Sequence, residues 1–349
     1  MTAAVHIAAT GAQTCLGLSG PPSAAAVRAG VSGVREHPRL RHSSGDPLFG
    51  AVAGQLAPDL TGVARLLALA APALDEACAP LDGAPASYRR VPLFLAVPEP
   101  RPGFSTADIQ EIEHALGRAR RALVAFSPVV VVPNGHAAGL LALKMALEHM
   151  QSRAADVCMI GGVESYFNRQ TIDWLEGWRQ LASENCRSGF VPGEGAGFCL
   201  LASSRAAQVI GCPAVTTIMT VSTGHEENRI KTAGPCLGEG LSEAIGSVLA
   251  SLPETAPVDD VICDLNGERY RGEEWGFASL RLSRRIADPT SYQSPADCWG
   301  DVGAASGPLF AMLACQARMR GYFKGPTTLL WASSEGGLRA AAMLHTAIS

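Results

Sequence analysis

Apolar runs alternate along this chain with segments whose apolar residues recur at helical spacing. The most uniform run is Val129–Val132, four consecutive β-branched residues that follow Pro128. A run without a polar face predicts a strand that is covered on both sides. Ser105 or Thr106 precedes one of the periodic segments and is a suitable N-cap. Buried strands are predicted for residues 91–97, 128–133 and 156–162, and helices for residues 105–123 and 140–150.

The same alternation restarts after about residue 205. Alternating strands and helices in both parts predict an α/β fold with mostly parallel sheets covered by helices. The matching order of elements suggests two similar halves, 1–205 and 206–349, although their sequence identity is too weak to prove a duplication. In the second part, strands are predicted for residues 258–265 and 327–332, and helices for 240–252 and 309–320.

Composition and charge exclude several classes of function. Hydrophobic residues make up 47% of the chain, charged residues 17%, and the formal net charge is −4. Basic residues form only short pairs such as Arg120-Arg121, which argues against a nucleic-acid or polybasic membrane surface. The longest apolar stretches are too short to cross a bilayer, and the N-terminus lacks the positive region of a signal peptide.

The chain has ten cysteines but no C-x-x-C pair, which argues against a structural zinc or a dithiol redox site. Several lie inside apolar runs, where a free thiol behaves as a small hydrophobic residue. We therefore expect a reduced, cytoplasmic protein with no metal and no organic cofactor.

Two small-residue turns lead from a predicted strand or loop into a helix. The turn from Asn134 to Gly139 carries His136. Backbone amides at a helix start can face a ligand or an oxyanion; the alternative is a packing turn with a hydrogen-bonded histidine. The turn from Gly300 to Gly307 carries Asp301, which alone would be interpreted as a cap or a buried acceptor.

A glycine-rich segment, Gly193-x-Gly195-x-Gly197, has the spacing of a phosphate loop. It leads into a predicted strand, however, so no helix N-terminus is available to hold an anion. We interpret it as close packing of backbone on backbone, with Glu194 accepting hydrogen bonds from buried amides.

Together these segments resemble the β-ketoacyl-acyl-carrier-protein synthases, condensing enzymes of the thiolase-fold superfamily. Residues 187–197 match the family's R-D-G-F-x-x-G-E-G-A-G signature with serine in place of aspartate. Residues 156–164 are similar to its D-x-x-x-x-G-G-x-E segment, and residues 300–307 resemble its G-H-x-x-G-A-A-G stretch. Residues 7–17 and 334–337 resemble the opening and closing turns, so the matches run in family order over nearly the whole chain.

The resemblance implies a thiolase-like fold in which two similar halves stack as a five-layered α-β-α-β-α sandwich. It also implies a dimer that pairs through the strand at Val129–Val132, either with itself or with a synthase-like subunit. An acyl carrier protein or a secreted effector is a further partner suggested by relatives of this kind.

At the positions of the family's catalytic residues this sequence differs. The family's nucleophilic cysteine falls on His136, or on Asn134 if a two-residue gap is allowed. Its two histidines fall on Asn266 and Asp301. The resemblance further implies that Asn134, Gly336 and Gly337 would lie at the substrate-binding turns.

Three functions follow from these departures. The first is a non-catalytic partner or chaperone-like accessory subunit, as in the chain-length factors, which lack the nucleophile. The second is a repurposed acyl-thioester enzyme, a hydrolase or acyltransferase, in which Asp301 orients His136 as a general base. The third is a conventional acyltransferase with an unrecognised nucleophile; Cys298 lies near Asp301 in the sequence but is better explained as a core residue.

Overall fold

The computed structural model describes residues 4–121, 123–212, 216–232, 234–254, 256–286 and 288–347. Its strands are β1 Val5–Thr14, β2 Arg35–Arg41, β3 Pro47–Gly50, β4 Arg90–Ala96, β5 Arg120–Arg121, β6 Val124–Val132, β7 Val157–Ser165, β8 Glu194–Ser203, β9 Thr216–His225, β10 Asp260–Cys263, β11 Thr327–Ser333 and β12 Leu338–Thr346. Its α-helices are α1 Gly20–Arg28, α2 Gly62–Cys78, α3 Thr106–Arg118, α4 Ala138–Gln151, α5 Arg169–Gly177, α6 Ser204–Val209, α7 Glu239–Leu249, α8 Arg269–Arg281, α9 Ala296–Trp299 and α10 Ser306–Met319. Four 3₁₀ turns are Ala79–Leu81, Ala86–Tyr88, Gly135–Ala137 and Gly303–Ala305.

Ten strands form one sheet in the order β10-β11-β12-β9-β1-β8-β7-β4-β6-β5, and β2 and β3 form a separate hairpin. The same pairing occurs on both sides of the β1–β9 junction. In β4-β7-β8-β1 and in β10-β11-β12-β9 alike, the first ladder is parallel and the next two are antiparallel. The sheet is therefore mixed, which refines the expectation of mostly parallel sheets. Strands of residues 5–203 lie on one side of the junction and strands of residues 216–346 on the other; a domain boundary at 205/206 stays a prediction.

The two faces of the sheet belong to different apolar cores. In β4, Phe94 and Ala96 join a central core, whereas Leu93 and Leu95 face the core beneath α2 and α3. β11 and β12 alternate in the same way between the central core and the core beneath α7 and α8. The central core holds α4 and α10, each in contact with strands from both sides of the junction. Successive layers are thus α2/α3, sheet, α4/α10, sheet and α7/α8, which gives the α-β-α-β-α order expected from the sequence.

The two central helices cross closely where they begin. A Cβ on Gly139 would lie 2.5 Å from Pro308 Cδ and 3.1 Å from Gly307 Cα, so only glycine fits. The close crossing places the 3₁₀ turns that precede the two helices, 135–137 and 303–305, beside each other. His136 lies in the first turn and Asp301 lies two residues before the second. The packing of the two helices therefore brings these residues together.

Most predicted elements are present with small shifts. Ser105 is the N-cap of α3 and forms a capping box with Asp108. The strand predicted at residues 128–133 begins earlier, at Val124, and the helix predicted at residues 309–320 begins at Ser306. The hairpin β2–β3, helix α8 and strand β12 were not predicted. Helix α8 contains many charged residues and little amphipathic periodicity, which explains why an apolar pattern did not indicate it.

Among the described residues, no helix combines the length and the hydropathy that a membrane crossing requires. All ten cysteines are free thiols.

Candidate functional site

His136 lies in the 3₁₀ turn between β6 and α4, with 7% of its surface exposed. Gly135 has a φ of +64°, a left-handed conformation that allows the chain to leave the strand abruptly. The next amide, Ala137 N, donates to Ser334 Oγ at 2.8 Å, and Ser334 Oγ donates to the carbonyl of Asn134. Ser334, which follows β11, therefore closes the turn on both sides of His136.

Asp301 is positioned by the glycine-rich segment. Its amide donates to the Val191 carbonyl and its carbonyl accepts from Gly193 N, each at 2.8 Å. A Cβ on Gly193 would lie 2.4 Å from the Trp299 carbonyl oxygen, so the two backbones touch. The predicted close packing of backbone at this segment is present, and its consequence is a fixed position for Asp301.

Glu194 has the structural role expected from the sequence. Its Oε1 accepts from Ala53 N at 2.7 Å and from Arg65 Nη2 at 2.6 Å. Its Oε2 accepts from Arg65 Nε at 2.6 Å and from Ser165 Oγ at 2.7 Å. The ion pair with Arg65 is completely buried, and sequence analysis had not identified Arg65 as the partner.

The structure brings His136, Asn266 and Asp301 together. His136 Nε2 lies 2.9 Å from each carboxylate oxygen of Asp301. Asn266 Nδ2 donates to Asp301 Oδ2 at 2.6 Å, and Tyr166 Oη donates to Oδ1 at 3.0 Å. Gly303 N adds a further hydrogen bond to Oδ1 at 2.8 Å. Both oxygens of this buried carboxylate are therefore bound from several sides, which fixes its orientation.

The surroundings favour an imidazolium–carboxylate pair. Burial opposes ionisation of Asp301, but the charge and hydrogen bond of His136, the charge of Arg271 and the Asn266 hydrogen bond outweigh it, and the pKa of Asp301 lies well below its usual range. Burial likewise opposes protonation of His136, but the Asp301 carboxylate outweighs it and raises the pKa of the ring. The nitrogen that faces Asp301 thus carries a proton and is engaged in an ion pair.

A buried guanidinium, which sequence analysis missed, lies against the same ring. Arg271 Nη2 is 3.2 Å from His136 Nε2. Arg271 is held there by Asp264 Oδ2, at 2.8 Å from Nη1, and by Glu268 Oε2, at 3.0 Å from Nε. A guanidinium is positively charged and only donates hydrogen bonds. Arg271 therefore favours the neutral ring, whereas Asp301 favours the protonated ring, and Arg271 lowers the pKa of His136. The charge-rich run from Asp264 to Arg271, directly after an apolar strand, was the available sequence signal.

The cavity that His136 reaches has a volume of about 260 Å³ and is lined mainly by polar and charged side chains. Lys231 lines it, with Nζ 3.6 Å from the centre of the Trp174 ring and 2.6 Å from Glu335 Oε2. No cysteine or serine of the described residues lines this cavity. Its lining residues are Glu99, Pro100, Arg101, Gly135, His136, Glu164, Tyr166, Trp174, Leu175, Arg229, Lys231, Thr232, Glu335 and Gly336.

Of the three residues assigned to substrate-binding turns, only Gly336 lines the cavity. Its amide donates to Glu99 Oε1 at 3.0 Å, and burial raises the pKa of Glu99. The carbonyl of Gly337 instead accepts a hydrogen bond from Glu226 N at 2.8 Å. Asn134 contributes its backbone carbonyl to Ser334. Substrate binding by these residues stays a prediction.

Cys298 does not lie in the His136 cavity. Its Sγ is 3.9 Å from the Val27 carbonyl in α1, and the residue is buried in the central core. Burial also raises the pKa of its thiol. Each observation agrees with a core residue. Cys298, the cysteine nearest to Asp301 in the sequence, is therefore not a candidate nucleophile.

Comparisons with known proteins agree with this architecture. Residues 117–207, which include His136, match the beta-ketoacyl synthase N-terminal domain. None of the curated protein sequences is similar enough to the chain to count as a match.

Many solved structures are similar, and three of them match almost the whole chain over almost their own full length. The ishigamide ketosynthase/chain length factor has a TM-score of 0.72 and 21% identity, over 98% of this chain and 99% of that one. A type II polyketide acyl-carrier protein in complex with its hexaketide-bound ketosynthase, AntDE:AntF, has a TM-score of 0.79 and 16% identity, over 100% of both chains. The ketosynthase ApeO in complex with its chain length factor ApeC, from Xenorhabdus doucetiae, has a TM-score of 0.78 and 14% identity, over 99% and 98%.

The ketosynthase-like fold predicted from the sequence motifs is therefore confirmed, and residues 117–207 match the β-ketoacyl synthase family that those motifs resemble.

Proposed function

We propose that this ketosynthase-like chain is a non-catalytic subunit that pairs with a synthase-like partner. The observation that carries the proposal is the buried His136–Asp301 ion pair, at the turn to which the resemblance assigns a nucleophilic cysteine. A condensing enzyme needs a thiolate there to accept an acyl group. His136 has no thiol, and its Nε2 is held by Asp301.

The cavity at His136 also supports a non-catalytic role. The cavity has a volume of only about 260 Å³, and its wall includes the charged groups of Glu99, Arg101, Lys231 and Glu335, which an acyl chain would have to displace or pass. Among the described residues, its wall offers no cysteine or serine that could form an acyl ester or thioester.

The edge of the sheet supports the pairing. β5 covers only Val124 and Ala125 of β6, so in the described residues the segment from Ser127 to Val132 has no strand on its outer side. This edge contains Val129, Val130 and Val131, all half-buried. An uncovered, apolar edge strand is a site for β-pairing with another chain.

The pairing is tested with Val130→Lys, because a lysine on an edge strand blocks strand addition. We expect the wild-type protein to migrate in multi-angle light scattering as a dimer, alone or after coexpression with a ketosynthase from the same gene neighbourhood, and the variant as a monomer. Val209→Lys, at an exposed valine at the end of α6, is the matched control and should leave the dimer intact. A wild-type monomer in both settings contradicts the proposed pairing.

The absence of catalysis is tested separately. Purified protein is incubated with acyl and malonyl thioesters, and intact-mass spectrometry and product analysis follow. We expect neither an acyl adduct nor condensation product. Either signal, if it disappears in His136→Ala, overturns the non-catalytic assignment.

The second candidate function is a repurposed acyl-thioester hydrolase or acyltransferase, and the His136–Asp301 contact is the observation that favours it. A carboxylate beside a histidine can orient a general base. The raised pKa of His136 opposes this function, because a general base acts only in its unprotonated form. Thioester hydrolysis that rises with pH and is lost in Asp301→Asn would favour it over the partner role.

An acyl carrier protein and a secreted effector stay expectations from the resemblance, and a cytoplasmic location stays an expectation from the cysteine pattern. Binding of the carrier protein to the dimer, measured by surface plasmon resonance, distinguishes an assembly subunit from a chaperone-like accessory protein.

A further inference from the structure

Three potential metal ligands meet outside the His136 cavity. Glu226 directly follows β9, Cys236 lies in the segment before α7, and Glu274 belongs to α8. Each offers one ligand atom, and all three atoms lie within 4.8 Å of one another. The fold therefore gathers a thiol and two carboxylates from three separate parts of the chain.

Glu274 is completely buried and only half satisfied. Arg339 Nε donates to its Oε1, whereas Oε2 has no hydrogen-bond partner among the described residues. A buried carboxylate oxygen without a donor is costly. An additional positively charged group beside Oε2 would remove that cost.

Glu226 adds a second buried negative charge, with 2% of its surface exposed. Among the described residues its side chain accepts one hydrogen bond, from Gly240 N at the start of α7, and forms no ion pair within 4 Å. Arg339 pairs with Glu274, whereas no cation pairs with Glu226 among the described residues. Buried charges in proteins are paired or coordinate metals, so the Glu226 carboxylate lacks a counter-ion that a metal would supply.

We propose that Glu226, Cys236 and Glu274 bind a divalent cation of the zinc class. Zinc accepts thiolate and carboxylate ligands together, and three protein ligands leave a fourth position for water. Magnesium and calcium prefer oxygen ligands only. A cysteine binds zinc as the thiolate, so binding at Cys236 releases the thiol proton.

Such a cation would restrain a segment that lines the His136 cavity. The residues between Glu226 and Cys236 include Arg229, Lys231 and Thr232, which line that cavity. A cation held by Glu226 and Cys236 fixes both ends of this segment to α8. The inference is independent of whether the protein is catalytic.

The test uses the full chain, stripped with a chelator and kept reduced, and then titrated with zinc or cobalt(II). We expect one zinc per chain and, with cobalt, a thiolate-to-metal charge-transfer absorption. Cys236→Ser should abolish the charge-transfer band and weaken zinc binding by about tenfold or more, since even outer ligand partners are worth that much. Cys212→Ser, at a half-buried cysteine outside the cluster, is the matched control and should behave as wild type.

Glu226→Gln provides a second variant and should also weaken zinc binding. The unfolding midpoint of each metal-free variant checks that it folds. Absence of stoichiometric zinc, or equal zinc affinity in wild type and Cys236→Ser, overturns the site. Equal rates of tryptic cleavage after Arg229 and Lys231 with and without zinc overturn the fastening of this segment.

Discussion

Removal of the Asp301 carboxylate should destabilise the protein strongly. In Asp301→Asn, His136 loses the anion it is paired with, while the guanidinium of Arg271 stays 3.2 Å from the same ring. Two unit charges 2.9 Å apart attract by about 6 kcal/mol at an effective dielectric constant near 20, before the cost of burying them. Breaking one side of a buried ion pair costs about 3–5 kcal/mol, and we expect a loss of this size in the free energy of unfolding.

A double-mutant cycle isolates the contact. Asp301→Asn, His136→Gln and the double variant are unfolded in urea at one protein concentration, because dimerisation contributes to apparent stability. We expect a coupling free energy of about 2 kcal/mol or more. The control, Asp75→Asn, breaks the exposed pair with Arg121 and should cost about 1 kcal/mol or less. A coupling near zero between His136 and Asp301 would refute the ion pair.

The dependence of this coupling on pH has a defined sign. The pKa of His136 is raised above its ordinary 6.5, so its contribution is fully present below pH 6.5 and is lost as the pH rises through the folded-state pKa. The pKa of Asp301 is depressed below its ordinary 3.8, so its contribution is present above that value and is lost as the pH falls through the folded-state pKa. The coupling should therefore be largest between about pH 4 and 6.5 and smaller at pH 9; a coupling that grows toward pH 9 would contradict the assignment.

Two further substitutions test the site. His136→Cys restores a thiol at the turn but should not be acylated by thioesters, because the Asp301 carboxylate beside it raises the thiol's pKa; an acyl adduct in its intact mass would count against this. Gly303→Ala should lower the free energy of unfolding by about 2 kcal/mol or more, since its Cβ would lie 2.2 Å from Glu164 Oε2 at a φ of +42°. Gly321→Ala, at a φ of +71° but with open space around it, should cost about 1 kcal/mol; equal losses in urea unfolding would show that the contact with Glu164 is unimportant.

Apolar runs and helical periodicity predicted strands and helices that pack against the apolar cores. The valines of β6 and the apolar face of α4 indicate a strand and a helix from the local sequence alone, without information on their tertiary contacts. The motif order predicted the fold, and it placed His136, Asn266 and Asp301 in segments that the structure brings within hydrogen-bonding distance.

The rest of the site depends on contacts between distant segments. Arg271 lies in a charge-rich helix that resembles a solvated one until α8 packs against β11 and the Asp301 loop. The cluster of Glu226, Cys236 and Glu274 has no spacing pattern in the sequence, because its residues meet only through folding. For the same reason, the lack of a C-x-x-C pair did not exclude this type of site.

The glycine-rich segment before β8 has a consequence for how such chains are recognised. The residues from Arg187 to Gly197 hold the Asp301 loop in place and pair Glu194 with Arg65. None of these contacts requires a thiol at position 136. A match to this segment therefore indicates the backbone packing that orients the central turns. It does not indicate which side chains lie on those turns, so their reactivity has to be established residue by residue.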